Sequence, residues 1–242
     1  MEDSNLVVRE NVTTDGKLFY QFVDEKNLNL QNEKLADISH RIIKRTMDIS
    51  AGIVGIAALI PITTFVYVGS KISNNKGPIF YTQERIGKDG KVFKMYKYRT
   101  MVENADEVLE EMLEKDEKLR KEYTVYKKLK NDVRITKIGS FLRKTSLDET
   151  PQLINVLKGD MSLIGPRPYL PREKKDMGKY YKDIIKEKPG ITGFWQVSGR
   201  SNTTFRQRLK MEKYYVENNN IKLDMQILIK TFNTAIKKRG GV

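Results

Sequence analysis

From Ile49 to Ser70 the chain reads ISAGIVGIAALIPITTFVYVGS, 22 residues without a charged side chain. As a helix, a stretch of that length is roughly 33 Å long, about the thickness of a bilayer's hydrocarbon layer. A helix that is apolar on nearly every face needs lipid or a large protein around it. A chain of 242 residues with 39% hydrophobic and 31% charged residues is a poor source of the second. Membrane insertion is therefore the expectation, and a buried core helix is the alternative. The segment follows a polar extension, residues 1–40, so it is not expected to be a cleaved signal peptide.

Two features argue against a simple span. Pro61 lies in the middle of the segment, where it removes a backbone hydrogen bond and kinks or breaks a helix. Basic residues flank both ends, Arg41, Lys44 and Arg45 before it and Lys71 and Lys76 after it. Positive charge prefers the cytoplasmic side, so equal claims at both ends suit a helix that enters, bends at Pro61 and returns. A kinked spanning helix is the alternative.

The net charge is +14, and it is unevenly spread: residues 1–40 carry −4 and the remainder +18. Such a surplus asks for a polyanionic partner, whether nucleic acid, anionic lipid or phosphorylated substrates. The apolar segment favours lipid and phosphate, and no nucleic-acid partner is expected. There is no cysteine and a single histidine, His40. That removes disulfides, thiolate catalysis and zinc sites built from Cys and His, and leaves oxygen-bound metals such as magnesium.

Outward from the apolar segment, residues 1–40 promise at most a short strand around Leu18–Val23. Residues 79–85 and 92–99 read as two strands joined by a turn with Asp89-Gly90, a hairpin signal. Residues 103–131 are dense in Glu, Lys and Leu, without Gly or Pro, and predict a solvated helix or helical pair. Beyond them a mixed apolar and basic stretch leads to a loop with Pro166, Pro168 and Pro171. The run DMQILIKTFNTAIKK near the C-terminus is apolar at helical spacing and basic at its end. That suits a helix lying in a membrane interface, or equally one packed on the protein's own core. The expected fold class is α+β, mostly α.

Few acids remain once the acidic extension and the charged helices are set aside, and one adjacent pair stands out. Asp148-Glu149 lies in RKTSLDETPQLINVLKGD, where Ser146 and Glu149 have capping-box spacing and Pro151 suits a helix start. Either acid can simply cap a helix. The same geometry also favours anions, keeps a carboxylate ionised and lets an Asp attack phosphorus. Arg143 and Lys144 stand ready for phosphate oxygens. Lys97 and Arg99 alternate along the second hairpin strand, so they project from one face. Arg167, fixed between two prolines, is a candidate bidentate partner for phosphate, although an exposed turn is the commoner meaning of Pro-Arg-Pro.

Together these stretches resemble the bacterial sugar transferase family, the monotopic phosphoglycosyltransferases. The matching runs are IIKRTMDI, YTQERIGKDGKVFKMYKYRTM, NDVRITKIGSFLRKTSLDETPQLINVLKGDMSLIGPRP and KPGITGFWQVSGR, in that order from about residue 40. The resemblance implies a monotopic enzyme on the cytoplasmic face of the bacterial inner membrane. Its parts would be a polar extension (1–40), a re-entrant helix (41–76) and a catalytic domain (77–242) with interfacial amphipathic helices. Asp148, beside Glu149, would attack the sugar-linked phosphate of a UDP-sugar, release UMP and pass the phosphosugar to polyprenyl phosphate. Mg2+ would bind at Asp148, and Arg167 would bind phosphate. Lys97, Arg99, Arg143, Gln196 and Arg200 are assigned to substrate binding.

The helix break departs from the small members of the family, which carry Ser-Pro where this chain has Ile60-Pro61; Thr63 and Thr64 are close by. Val133 stands where relatives often have proline. The insertion at 103–131 and Trp195 in GFWQVSGR look more like the larger members, which favours a hexose donor over an N-acetylated sugar. The product would start a capsule, exopolysaccharide or other surface glycan. A homodimer is among the expected partners. The rival from another class is a non-catalytic basic scaffold held on the membrane.

Overall fold

The structure, a computed structural model, describes residues 6–12, 18–73, 77–126, 129–199 and 203–236, with side chains between residues 34 and 234. By its contacts the chain forms two units, Met1–Arg45 and Thr46–Val242. In the first, β1 (Leu6–Val12) and β2 (Leu18–Asp24) pair antiparallel, from Leu6 opposite Asp24 to Val12 opposite Leu18. A long helix, α1, starts at Glu25 and ends at Ile72. Sequence reading expected at most one short strand here. The missed signal was the Asp15-Gly16 pair between two runs rich in Val, Leu, Phe and Tyr.

The apolar part of α1 has a sharply one-sided environment. Asp48, Gly52, Leu59 and Val66 are buried, and Gly55, Ile62 and Gly69 are half-buried. These positions are separated by four and three residues in turn, which keeps them on one stripe of the helix. The glycines set the closeness: a Cβ on Gly52 would stand 2.5 Å from a Leu157 methyl, and one on Gly55 would stand 2.3 Å from a Leu153 methyl. Asp48 accepts from Ser162 Oγ (3.0 Å) and from the Leu163 backbone N–H (2.8 Å). Toward the other end, Val66 packs with Tyr98 and Leu142. The opposite side leaves Ile53, Val54, Ile60, Phe65 and Ile72 exposed. Helical structure continues through Pro61, so no interruption of the helix occurs at the expected break. Thr64 Oγ1 donates back to the Ile60 carbonyl (3.1 Å), a contact that bends helices.

The predicted hairpin forms from β3 (Phe80–Ile86) and β4 (Val92–Tyr98), with Tyr81 opposite Lys97. Asp89 and Gly90 both take positive φ, 56° and 78°, which explains the Asp-Gly pair. The charged stretch becomes α2 (Ala105–Lys115) and α3 (Glu117–Tyr126). Next come α4 (Lys137–Thr145), a 3-10 turn at Leu147–Glu149 and α5 (Gln152–Lys158). A parallel pair follows, β5 (Ser162–Ile164) and β6 (Gly190–Thr192). Two short helices, α6 (Lys174–Met177) and α7 (Tyr181–Ile184), separate those strands. The chain continues with α8 (Phe194–Ser198), α9 (Phe205–Asn218) and α10 (Ile221–Ile236). The expected class, mostly helical with a short β-hairpin and one long apolar helix, is found, and the β1–β2 and β5–β6 pairs are additions to it.

Asn155, wholly buried in α5, does the work of a neighbouring strand for β4. Its side-chain oxygen accepts the Tyr96 N–H (3.0 Å) and its amide donates to the Lys94 carbonyl (2.8 Å). This fixes α5, and the turn before it, against the strand that carries Lys97. Replacing Asn155 with Ala orphans both backbone groups, at a cost of about 1–3 kcal/mol. The thermal unfolding midpoint is expected to fall by roughly 2–12 °C; a midpoint unchanged from wild type would show that the pairing is dispensable.

Candidate active site

The acidic pair sits where α4 hands over to α5. Ser146 ends α4 in the left-handed conformation (φ 60°) and reverses the chain into the 3-10 turn. The predicted capping box does not form, because Ser146 makes no side-chain cap and Glu149 bonds elsewhere. Lys97 Nζ donates to Glu149 Oε1 at 3.1 Å, an ion pair with the lysine largely buried. Burial alone would raise the Glu149 carboxyl, but Lys97, then Arg167 and Arg85, outweigh it and hold it low. Asp148 is buried and has the opposite balance. Burial, then the Glu149 charge beside it, push its carboxyl up to about 6 against the pull of Lys97 and Arg143. One carboxylate is thus committed to a cation and the other is left basic.

Arg143 Nε donates to Thr100 Oγ1 (2.9 Å), which aims the guanidinium from α4 toward the pair. Burial lowers its pKa, and Asp148 is the largest influence restoring it.

A second wall comes from the loop after β5. Four consecutive residues each have a backbone group held by a different part of the chain. The Pro166 carbonyl accepts from Gly190 N (2.8 Å), and Arg167 N donates to Glu212 Oε1 (3.0 Å). The Pro168 carbonyl accepts from Arg85 Nη1 (2.9 Å), and the Tyr169 carbonyl from Ile86 N (2.8 Å). The approach of β5 to β6 that permits this leaves no room for a side chain at Gly190, whose Cβ would lie 2.1 Å from Gly165 N.

The Arg167 guanidinium itself has no hydrogen bond or ion pair among the described residues. It stands over the Trp195 ring at 5.7 Å, and Arg208 stacks on the same ring at 4.1 Å. Burial, then Arg167, depress Arg85 and Arg208 to about 10 each. Arg167 is close enough to disfavour the charges of Arg85 and Arg208, and none of the three is ion-paired with a carboxylate among the described residues, a concentration of positive charge that can take an anion.

Residues 39–238 match the family model described as bacterial sugar transferase. The chain belongs to that family. It is 44% identical over 217 residues to the undecaprenyl-phosphate galactose phosphotransferase of Salmonella typhimurium, covering 88% of this chain and 44% of that protein. It is 39% identical over 200 residues to the exopolysaccharide production protein ExoY of Sinorhizobium fredii, covering 83% and 88%. Identity is 32% over 227 residues with the UDP-N-acetylgalactosamine-undecaprenyl-phosphate N-acetylgalactosaminephosphotransferase of Aeromonas hydrophila, covering 90% and 49%. The chain therefore spans about half the length of several relatives it matches.

Of the residues singled out in this bacterial sugar transferase, Asp148, Glu149, Lys97, Arg143 and Arg167 come together. Arg99 Nε donates to the Pro78 carbonyl (3.0 Å) and its guanidinium lies over Tyr81. Gln196, on α8, lies against Gly193, and no described hydrogen bond or ion pair joins it to the acidic pair. Arg200 lies outside the described residues. Sequence reading missed Arg85, Arg208 and Glu212. Arg208 and Glu212 carried a signal, since they fall with Phe205 and Leu209 on the apolar stripe of α9.

For magnesium the donor chemistry fits. With Glu149 held by Lys97, Asp148 offers one carboxylate, and Mg2+ is commonly bound by one or two with substrate phosphates and water completing its shell. Among the described residues no cluster of three or more His, Cys, Asp or Glu competes for it.

Because the folded value of Asp148 lies above that of an unfolded aspartate, folding favours its protonated form. The stability this contributes is present at low pH and is lost as pH rises through about 6. Lys97→Met removes a charge that lowers both carboxyls. Carbon-13 carboxyl NMR is expected to show the Asp148 titration displaced upward from its wild-type midpoint; a downward or absent displacement would refute this account of the pair.

Proposed function

We propose that this chain transfers a sugar-1-phosphate from a UDP-sugar to polyprenyl phosphate through a phosphosugar bound covalently to Asp148. The observation that carries this reading is the division within the acidic pair: Glu149 is ion-paired with Lys97, and Asp148, raised to about 6, is mostly ionised at neutral pH.

An Asp148 oxygen attacks the sugar-linked phosphorus. That Oδ–P bond forms as the P–O bond to the nucleoside phosphate breaks, and UMP leaves with the electron pair. In the second half, an oxygen of polyprenyl phosphate attacks the same phosphorus, the Asp148–P bond breaks and the carboxylate is regenerated. Arg167, fixed at its backbone and free at its guanidinium, holds a phosphate of the donor, and Arg143 serves from the α4 side. Magnesium, held by Asp148 with water and phosphate oxygens, would offset the negative charge of two anionic substrates. The names of the Salmonella and Aeromonas relatives support the lipid acceptor, and the higher identity with the galactose enzyme favours a hexose donor. The exopolysaccharide relative supports a role in starting a surface glycan.

The same reading places the chain on the cytoplasmic face of the membrane, with α1 entering and returning. It is supported by the ties of both ends of the apolar segment to one body, Asp48 to Ser162 and Leu163, and Val66 to Tyr98 and Leu142. On α10, Met225, Ile229 and Phe232 form an exposed apolar stripe suited to the interface.

The deciding experiment is UMP release from a panel of UDP-sugars by detergent-solubilised protein with magnesium and undecaprenyl phosphate. Release with one donor, falling roughly 10³-fold or more in Asp148→Asn, is expected. Activity that survives that substitution would remove the covalent step, and folded protein inert with every donor would favour the scaffold reading. Topology is separately open to test. Cysteines placed at Ile38 and Ser73 should both be labelled from the cytoplasmic side of oriented vesicles; labelling from opposite sides would establish a span.

A further inference from the structure

Glu212 is wholly buried in α9, and its carboxyl is divided between one used and one unused oxygen. Oε1 accepts the Arg167 backbone N–H at 3.0 Å, while Oε2 has no hydrogen-bond partner among the described residues. Two further polar atoms beside it share that condition, the Tyr169 hydroxyl and Arg208 Nε. A buried carboxylate that served only as structural filler would be expected to satisfy both oxygens. Here the single bond goes to the backbone of the one residue in the polyanion site whose side chain is free. One turn before Glu212, Arg208 stacks on Trp195, the ring over which Arg167 also stands. Phe205, two turns before it, meets Tyr169 edge-on at 5.9 Å. One stripe of α9 therefore supports the backbone of Arg167, the ring beneath its guanidinium and the residue two places after it.

We propose that Glu212 is a positioning residue for substrate: by accepting the Arg167 N–H it fixes the Pro166–Pro168 segment so that the Arg167 guanidinium is held ready for the donor's diphosphate. The inference rests on the nucleotide-sugar reading of the site. Without the bond, the peptide between Pro166 and Arg167 is held at its carbonyl alone, by Gly190 N (2.8 Å), and its tilt is less restrained. The guanidinium then has several directions where it had one, and binding must repay that freedom. The burial that pushes the Glu212 carboxyl up to about 7 is opposed chiefly by this backbone bond and by Arg208. The proton is therefore easily kept, and glutamine is a close mimic of the residue.

Trp195 is the only tryptophan in the chain, so its fluorescence, excited beyond nucleotide absorption, reports on the site alone. The experiment titrates UDP into the full chain in detergent with magnesium, for wild type, Glu212→Gln, Glu212→Asp and Glu212→Leu, each also in an Arg167→Ala background. Thermal unfolding is recorded for every variant. Glutamine keeps the acceptor and is expected to stay within about threefold of wild-type affinity. Aspartate, one methylene short, and leucine are expected to weaken UDP by roughly tenfold, and to cost nothing further once Arg167 is alanine, the non-additivity of groups that act through one another. The Asp variant keeps the carboxyl and carries the test if leucine prevents folding. Wild-type affinity in Glu212→Asp, or the same tenfold loss with and without Arg167, would overturn the proposal. A wild-type protein whose Trp195 emission and UMP release both ignore nucleotide would instead overturn the nucleotide-sugar reading, and the proposal with it.

Discussion

A flexible arginine has no fixed direction until something removes its freedom, and at Arg167 the removal is done at the backbone. From Pro166 to Tyr169 every residue surrenders one peptide group to a partner from elsewhere: Gly190, Glu212, Arg85 and Ile86. Two of those residues are prolines, with φ already fixed. Little is left for the segment to do except present the Arg167 side chain. Much of the surrounding architecture follows from this demand. The β5–β6 pair must approach through glycines, β3 must carry a buried arginine, and α9 must bring a carboxylate into the core. Each of these is costly alone, and together they close around one loop.

The acidic pair obeys a complementary logic. Two adjacent carboxylates repel, so both are not equally ionised unless a cation intervenes. Lys97 acts on both but is bonded to one of them only, Glu149. It reaches Glu149 from β4 because Asn155 fixes α5 to that strand, and Ser146 in its left-handed turn sets which acid faces which wall. The chemical difference between Asp148 and Glu149 therefore rests on the burial of Asp148 and on the Lys97 ion pair, both set by hydrogen bonds in a strand and a turn outside the pair.

That division explains what could be read in advance. The Asp89-Gly90 hairpin, the helical pair and the apolar helix were legible because each rests on local rules of turn geometry, periodicity or length. So was the acidic pair, by elimination and by resemblance. Ser146 misled because capping-box spacing is necessary for a cap but not sufficient: α4 ends there in the left-handed region before any cap can form. Arg85, Arg208 and Glu212 stayed hidden for a different reason. A charge on a strand or an amphipathic helix reads as solvated, and only tertiary contacts show it to be buried and bonded to a distant loop. Strand alternation put Arg99 on the face of Lys97; it lies just past the strand end, where its Nε donates to the Pro78 carbonyl.

The apolar helix joins these arguments. Its inward stripe runs from Asp48 through Gly52 and Gly55 to Val66, and what it touches is the framework of the site: β5 through Ser162 and Leu163, α5 through Leu153 and Leu157, and β4 through Tyr98. Thr63 also shares a hydrogen bond with the Tyr98 hydroxyl. The helix is thus a structural member of the domain on one side. On the other it presents Ile53, Val54, Ile60 and Phe65, a surface no aqueous face would keep apolar over this length. The whole stripe is seated on these elements with no interruption of the helix at Pro61. Lipid against the opposite side would therefore hold the Arg167 loop at a set distance from the membrane. The packing that orders the site would then also fix its depth in the membrane.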